Sequence, residues 1–178
     1  ITECREKAKL SKKEVAELVE KFIVDNDTIM MNAGTTLTYV LRALRGKKNI
    51  SIVTNSIQNA TEAALYPDFN VILLGGELDS KYQFTYGQDA INQLQNYHAT
   101  KCILSVDGIS AESGLTLYYS NEAELARKMI ESSDMAIVAA LFDISPNNHT
   151  LLQQIDGNDI WRFVYENLDN FEINIDVF

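Results

Sequence analysis

The sequence predicts an α/β domain with a mainly parallel sheet flanked by helices. Three observations carry that reading. Short apolar runs alternate with segments whose apolar residues recur at helical spacing, as in Ile29-Met30-Met31 followed by Leu37, Val40, Leu41 and Leu44. The runs are continuous rather than alternating, which suits strands covered on both faces. Most of them end in small polar residues, the composition expected where a strand turns into a helix.

In chain order, Ser11-Lys12-Lys13-Glu14 has the capping-box pattern and opens a helix carrying Val15, Leu18, Val19, Phe22 and Ile23, to about Val24. A helix-turn-helix is rejected here, because Asp25-Asn26-Asp27 and a strand-like run follow instead of a second helix. The first strand, 28–32, leads through Gly34 into a helix ending near Arg45-Gly46, with Gly46 suited to its C-terminal cap. The second, 50–53, passes through Thr54-Asn55-Ser56 into a helix with Ile57, Ala60 and Ala64 on one face. The third, 71–74, stops at Gly75-Gly76, and a connection then reaches Gly87 and a helix bearing Ile91 and Leu94. The fourth, 102–106, ends in Asp107-Gly108, and residues 109–119 have the character of a hairpin or flap around Gly114. Asn121 with Glu124 is expected to cap the next helix, which carries Leu125, Met129 and Ile130. The fifth strand, 135–141, ends in Asp143-Ile144-Ser145. In the tail, Trp161, Val164, Tyr165 and Leu168 fit one helix face, while Phe171, Ile173, Ile175 and Val177 alternate as an edge strand would. Trp161 is expected in the core, with ligand stacking as the alternative.

The strand ends supply the candidate site. In Asn32-Ala33-Gly34-Thr35-Thr36 a strand turns through glycine into a helix, placing backbone N–H groups, a positive dipole end and two hydroxyls at one point. Taken alone, an ordinary turn with Thr35 or Thr36 as the cap accounts for it. The same polar signature recurs, however, at Thr54/Asn55/Ser56, Asp107/Gly108 and Asp143/Ser145, and the third strand ends in Gly75-Gly76. In an open parallel sheet these ends share the edge where ligands bind. Hydroxyls, amides, glycines and two carboxylates suit a polyhydroxylated anion such as a sugar phosphate. Neither GxGxxG nor GxxxxGK[ST] occurs, which argues against a dinucleotide or a nucleoside triphosphate.

Composition narrows the class. The 178 residues are 46% hydrophobic and contain only two prolines, so one globular domain spanning 1–178 is expected. No apolar run approaches a membrane span. Cys4 and Cys102, with His98 and His149, match no metal-ligand spacing, so no metal or cofactor is expected, and a cytoplasmic location fits. The net charge of −10 is uneven: residues 1–48 hold ten of the fifteen Lys/Arg and seven of the twenty-five Asp/Glu. The acidic remainder disfavours direct DNA binding by this domain.

These residues, in this order, resemble the C-terminal effector-sensing domain of the DeoR-type bacterial transcription regulators. The resemblance rests on Gly34-Thr35-Thr36, Thr54-Asn55-Ser56, Leu73-Leu74-Gly75-Gly76, Asp107-Gly108-Ile109 with Gly114-Leu115-Thr116, and Glu122-Ala123 opening a helix that reaches Met129-Ile130. It implies a Rossmann-like fold similar to ribose-phosphate isomerases and CoA transferases, a phosphorylated sugar or related metabolite as effector, and a homo-oligomer. It also implies operator binding through an N-terminal winged helix-turn-helix absent from this chain. The ligand-binding residues expected are Asn32, Gly34, Thr35, Thr36, Thr54, Asn55, Ser56, Gly76, Asp107, Gly108, Glu122, Arg127 and Asp143. Two cations of the family pattern are replaced, a lysine after Asp143-Ile144-Ser145 by Pro146 and another by Ala126; Arg127 or Lys128 are the candidates to compensate.

Two other readings are weighed. A sugar-phosphate isomerase would carry a D-G-A-D-E type loop ending in the proton-transferring glutamate. Here the loop reads Asp107-Gly108-Ile109-Ser110-Ala111, with Glu112 one position late, which argues against an enzyme. The third reading is a degenerate, ligand-free oligomerisation domain.

Overall fold

The computed structural model describes residues 12–110, 114–139 and 161–164. The Ser11 cap, Ala111 and Glu112, Asp143 to Pro146, and the tail after 164 lie outside them. Helix α1 covers residues 12–20. It is followed by β1 (Thr28–Met31), α2 (Thr35–Ala43) with a 3-10 turn at Leu44–Gly46, β2 (Ile50–Thr54), α3 (Ile57–Ala63) and β3 (Phe69–Leu73). Next come the short strands β4 (Glu77–Asp79) and β5 (Phe84–Tyr86), then α4 (Gln88–Leu94) and β6 (Lys101–Leu104). The remainder comprises β7 (Gly108–Ser110), β8 (Gly114–Thr116), α5 (Ser120–Glu131), β9 (Ala136–Ala139) and β10 (Trp161–Val164).

Six strands form one sheet in the order β3-β2-β1-β6-β9-β10, and every neighbouring pair is parallel. Successive strands move outward from β1 to one side and then from β6 to the other. The direction reverses between β1 and β6, the place where open parallel sheets form a crevice at their carboxyl ends.

Both faces of the sheet are covered, which is why its strands read as continuous apolar runs. Ile29, Met31, Ile50, Ile52 and Ile103 face Val15 and Val19 of α1 and Leu37, Val40 and Leu41 of α2. Met30, Val53, Cys102 and Leu104 face Ile91 and Leu94 of α4 and Leu125 and Met129 of α5. Each such large side chain, fully buried, stabilises the fold by roughly 1.5–3 kcal/mol. Strand β3 departs from the pattern: it is the sheet edge, and Leu73 is exposed.

Several local expectations need correction. Gly46 is not a left-handed cap; it lies inside the 3-10 turn, and the positive φ falls instead on Asn49. On α3 the buried face is Asn59, Ala60 and Ala63, while Ala64 is exposed. The connection before Gly87 contains β4 and β5, paired antiparallel. Helix α5 begins at Ser120, so Asn121 and Glu124 lie within its first turns, and no side chain caps it. Trp161 and Val164 belong to β10, paired with β9, and not to a helix. The flap is present, with β7 and β8 antiparallel.

Candidate functional site

The site begins at the reversal between β1 and β6. Asn32 follows β1 and is buried. Its Nδ2 donates to the Ser105 carbonyl at 2.9 Å, and its Oδ1 accepts from the Ser105 N–H at 2.8 Å. The amide thereby continues the ladder one residue past both strands and holds the crevice at fixed width. The same Nδ2 lies 3.3 Å from Glu122 Oε1. Gly34 is required by this closeness: a Cβ there would lie 2.5 Å from the Ser105 Cβ. The glycine thus serves the approach of the two chain segments.

On the α1–α3 side of the sheet edge stands the start of α2. Gly34 is its N-cap residue and no side chain caps it, so neither Thr35 nor Thr36 is a capping residue. Thr35 is exposed and Thr36 buried. Lys12, from α1, donates to Thr35 Oγ1 at 2.7 Å. An ammonium therefore sits beside the positive end of a helix, an arrangement that an anion would relieve. The sequence pattern marks Lys12 only as part of the α1 cap. Behind it, Thr38 donates to Asn59 Oδ1 at 2.9 Å, and Asn59 Nδ2 donates to the Asn32 carbonyl at 3.0 Å. Sequence reasoning missed Thr38 and Asn59. Their signal is polarity on a helix face that the apolar spacing marks as buried.

Past β2, Thr54, Asn55 and Ser56 are all buried. Ser56 is the N-cap of α3 and accepts from the Asn59 N–H, while Thr54 Oγ1 accepts from the Ser56 N–H. Asn55 Nδ2 donates to the Thr85 carbonyl at 2.8 Å, but Asn55 Oδ1 has no partner among the described residues. The donor to Thr85 fixes the amide orientation, since a flipped amide would set two oxygens against each other. Gly76 has φ +130°, and a Cβ there would lie 2.4 Å from the Tyr86 carbonyl, so it seats the β4–β5 hairpin against the start of α4.

Asp107 is exposed; its N–H donates to the Thr116 carbonyl, and its Oδ2 accepts from the Tyr118 N–H at 2.8 Å. The Gly108 carbonyl accepts from Thr116 Oγ1. These bonds tie the flap to the end of β6. Glu122 is buried in the first turn of α5. Burial, and then the charge of Asp107, push its carboxyl up to about 7 against the opposing bond from Asn32, and Asp79 adds a smaller push. Tyr82 and Phe84 from the β4–β5 hairpin meet Tyr119, with ring centroids 5.0 and 6.1 Å apart. Arg127 is half-buried on α5, about 140° around the axis from Glu122. Ala126, on the Glu122 side, is buried in the core, and Lys128 pairs with Glu131.

Thus Asn32, Gly34, Thr35, Thr36, Thr54, Asn55, Ser56, Asp107, Gly108 and Glu122 gather along one edge. Gly76 supports the hairpin beside it, Arg127 sits on α5 about 140° around the axis from Glu122, and Asp143 lies outside the described residues. A parallel sheet of order 3-2-1-4-5-6 with this polar edge at its reversal defines a Rossmann-like α/β class of domain. The family within that class follows from comparison. The DeoR C-terminal sensor domain family matches residues 7–145, and the chain belongs to that family. The chain is 31% identical over 160 residues to the HTH-type transcriptional repressor GlcR of Bacillus subtilis, covering 89% of this chain and 60% of that protein. It is 30% identical over 122 residues to the glycerol-3-phosphate regulon repressor of Escherichia coli, covering 68% and 48%. The chain therefore spans about half to three fifths of these relatives' length. In fold it is similar to ribose 5-phosphate isomerase A of Neisseria gonorrhoeae (TM-score 0.53, 18% identity, covering 75% of this chain and 51% of that one). It is likewise similar to the translation initiation factor eIF-2B of Pyrococcus horikoshii (TM-score 0.55, 19% identity, 79% and 49%).

Proposed function

We propose that the chain is one effector-sensing domain of a cytoplasmic DeoR-type transcriptional repressor, and that its effector is a phosphorylated sugar. The observation that carries this is the uncapped start of α2 with the Lys12 ammonium beside it, at the polar sheet edge. The phosphate takes the α2 N-terminus and Lys12, which stands in for the cations replaced by Ala126 and Pro146. Asn32, Asn55, Asp107 and Glu122 take the sugar end. Operator binding belongs to a helix-turn-helix elsewhere in the protein, and the domain works in a homo-oligomer. The effector acts through unequal affinity for the DNA-bound and released forms. The names of the relatives support regulation over catalysis.

The test is thermal unfolding against phosphorylated sugars, with the parent sugars as controls. A ligand at one hundred times its Kd adds about 2.7 kcal/mol and raises the midpoint by roughly 5–10 °C. A shift with a phosphorylated sugar alone, lost in Lys12→Ala, is expected. No shift across the panel would overturn the reading.

A further inference from the structure

Asn32 and Asn55 occupy equivalent places on neighbouring strands, because Met31 pairs with Thr54 in the parallel register. Alternation places both on the Met30/Val53 side, the side covered by α4 and α5. Asn55 therefore lies next to Asn32 on that side, where Asn32 Nδ2 meets Glu122 and the β4–β5 hairpin bonds Asn55 through the Thr85 carbonyl. Asn55 Oδ1, fully buried and without a partner among the described residues, is an acceptor there; its own Nδ2 is already committed to Thr85. A buried acceptor without a donor costs about 1–3 kcal/mol, so the arrangement calls for a donor from outside the chain.

The rest of that space is also acceptor-rich. Glu122 is buried there, and the charges acting most strongly on it are the carboxylates of Asp107, after β6, and Asp79, on β4. Among the described residues, the side-chain donor to Glu122 is the neutral Asn32 amide. Among the described residues, no group of His, Cys, Asp and Glu side chains is arranged to hold a metal ion.

We propose that the sugar end of the effector carries an ammonium group, seated between Glu122 and Asn55 Oδ1, so that the effector class is a phosphorylated amino sugar. This rests on the sensor reading above and adds the specificity of the same site. Glu122 supplies the charge complement, Asp107 strengthens the negative potential, and Asn55 accepts one N–H. A neutral hydroxyl in the same place satisfies Asn55 but leaves the carboxylates uncompensated.

The experiment measures binding of matched pairs to the full chain by calorimetry at pH 8: 2-amino-2-deoxyhexose 6-phosphates against the parent hexose 6-phosphates, in gluco, galacto and manno forms. At least one amino member is expected to bind tenfold or more tightly than its parent. Glu122→Gln, which keeps shape and hydrogen-bonding capacity, should abolish that preference while phosphate-dependent binding of the parent persists. Asp107→Asn, which retains the acceptor for Tyr118, should reduce the preference with less effect on the fold. Equal or tighter binding of the parents overturns the ammonium assignment and leaves the sensor reading standing. A preference that survives Glu122→Gln in a folded variant also overturns it. Binding of no phosphorylated member overturns both.

Discussion

Glu122 is the residue whose environment departs furthest from what a sequence shows. A glutamate in the first turn of a helix ordinarily gains from the helix dipole. Here burial and the neighbouring carboxylates prevail, and the carboxyl stands at about 7 instead of 4.5. A carboxyl raised by folding destabilises the native state only where it must be ionised. The cost is fully present above about pH 7 and vanishes as pH falls toward 4.5. Glu122→Gln is therefore expected to stabilise the unliganded domain at pH 8 by roughly 2–3 kcal/mol and to change it little at pH 5. Urea unfolding at both pH values checks this; equal effects would mean the carboxyl is not raised. Gly34 behaves differently. Its substitution by alanine pushes on Ser105 at the mouth of the crevice. Gly34→Ala should cost about 1–3 kcal/mol by overpacking and loosen the Asn32–Ser105 clamp. Hydrogen exchange of the Ser105 amide, bonded to Asn32 Oδ1, is expected to be faster in the variant than in the parent; unchanged exchange and stability would refute the close contact.

At the scale of elements, α3 shows how a helix too short to stand alone is fixed by its ends and one polar side chain. Seven residues do not sustain an isolated helix. Ser56 caps it, and Asn59 locks it to both α2 and the end of β1. Asn59→Ala leaves Thr38 Oγ1 and the Asn32 carbonyl without their partners, at an expected cost of about 2–4 kcal/mol. The Thr38→Val change should then cost less in the Asn59→Ala background than alone, and strict additivity would show that the two do not form one network. The same elements show what periodicity conveys. Helices α2 and α5 and strands β1, β2 and β6 were legible because apolar spacing reflects which faces they bury. The β4–β5 hairpin was not, since its three-residue strands carry too few positions to establish a period. The expected start of α5 is late because Asn121 and Glu124 satisfy a capping pattern, whereas the helix begins at Ser120 with Tyr119, two residues before Asn121, in the N-cap position. Trp161 fits a helical face as well as a strand, and only its pairing with β9 decides between them.

In the whole molecule the two edges of the sheet are built on opposite terms. The carboxyl-end edge was legible as a site because its strands end in hydroxyls, amides and glycines. Its inner wiring was not, since Ser105, Asn59 and Lys12 reach Asn32 and Thr35 from distant parts of the chain. The amino-end edge is closed by Asp27, which accepts from the Lys101 Nζ at 2.6 Å, from Thr100 Oγ1 at 2.7 Å and from the Val24 N–H at 2.8 Å. Burial raises its carboxyl, but the hydrogen bonds from Lys101, Val24 and Thr100 together outweigh it and hold it below the usual range. Its contribution is therefore present above about pH 4 and lost as pH falls below that, opposite in sign to Glu122. Asp27→Ala leaves the Lys101 ammonium, 12% exposed, without its partner and should cost about 3–5 kcal/mol. Adding Lys101→Met should recover part of that loss and not all of it, because the Val24 N–H still lacks its acceptor and the Thr100 hydroxyl keeps only the Thr28 carbonyl. Full recovery would make the ion pair the whole role of Asp27, and none would place its importance in the two neutral donors. Because this closure lies at the opposite edge from the candidate site, Asp27→Ala should lower the unfolding midpoint while leaving unchanged any ligand affinity measured well below that midpoint.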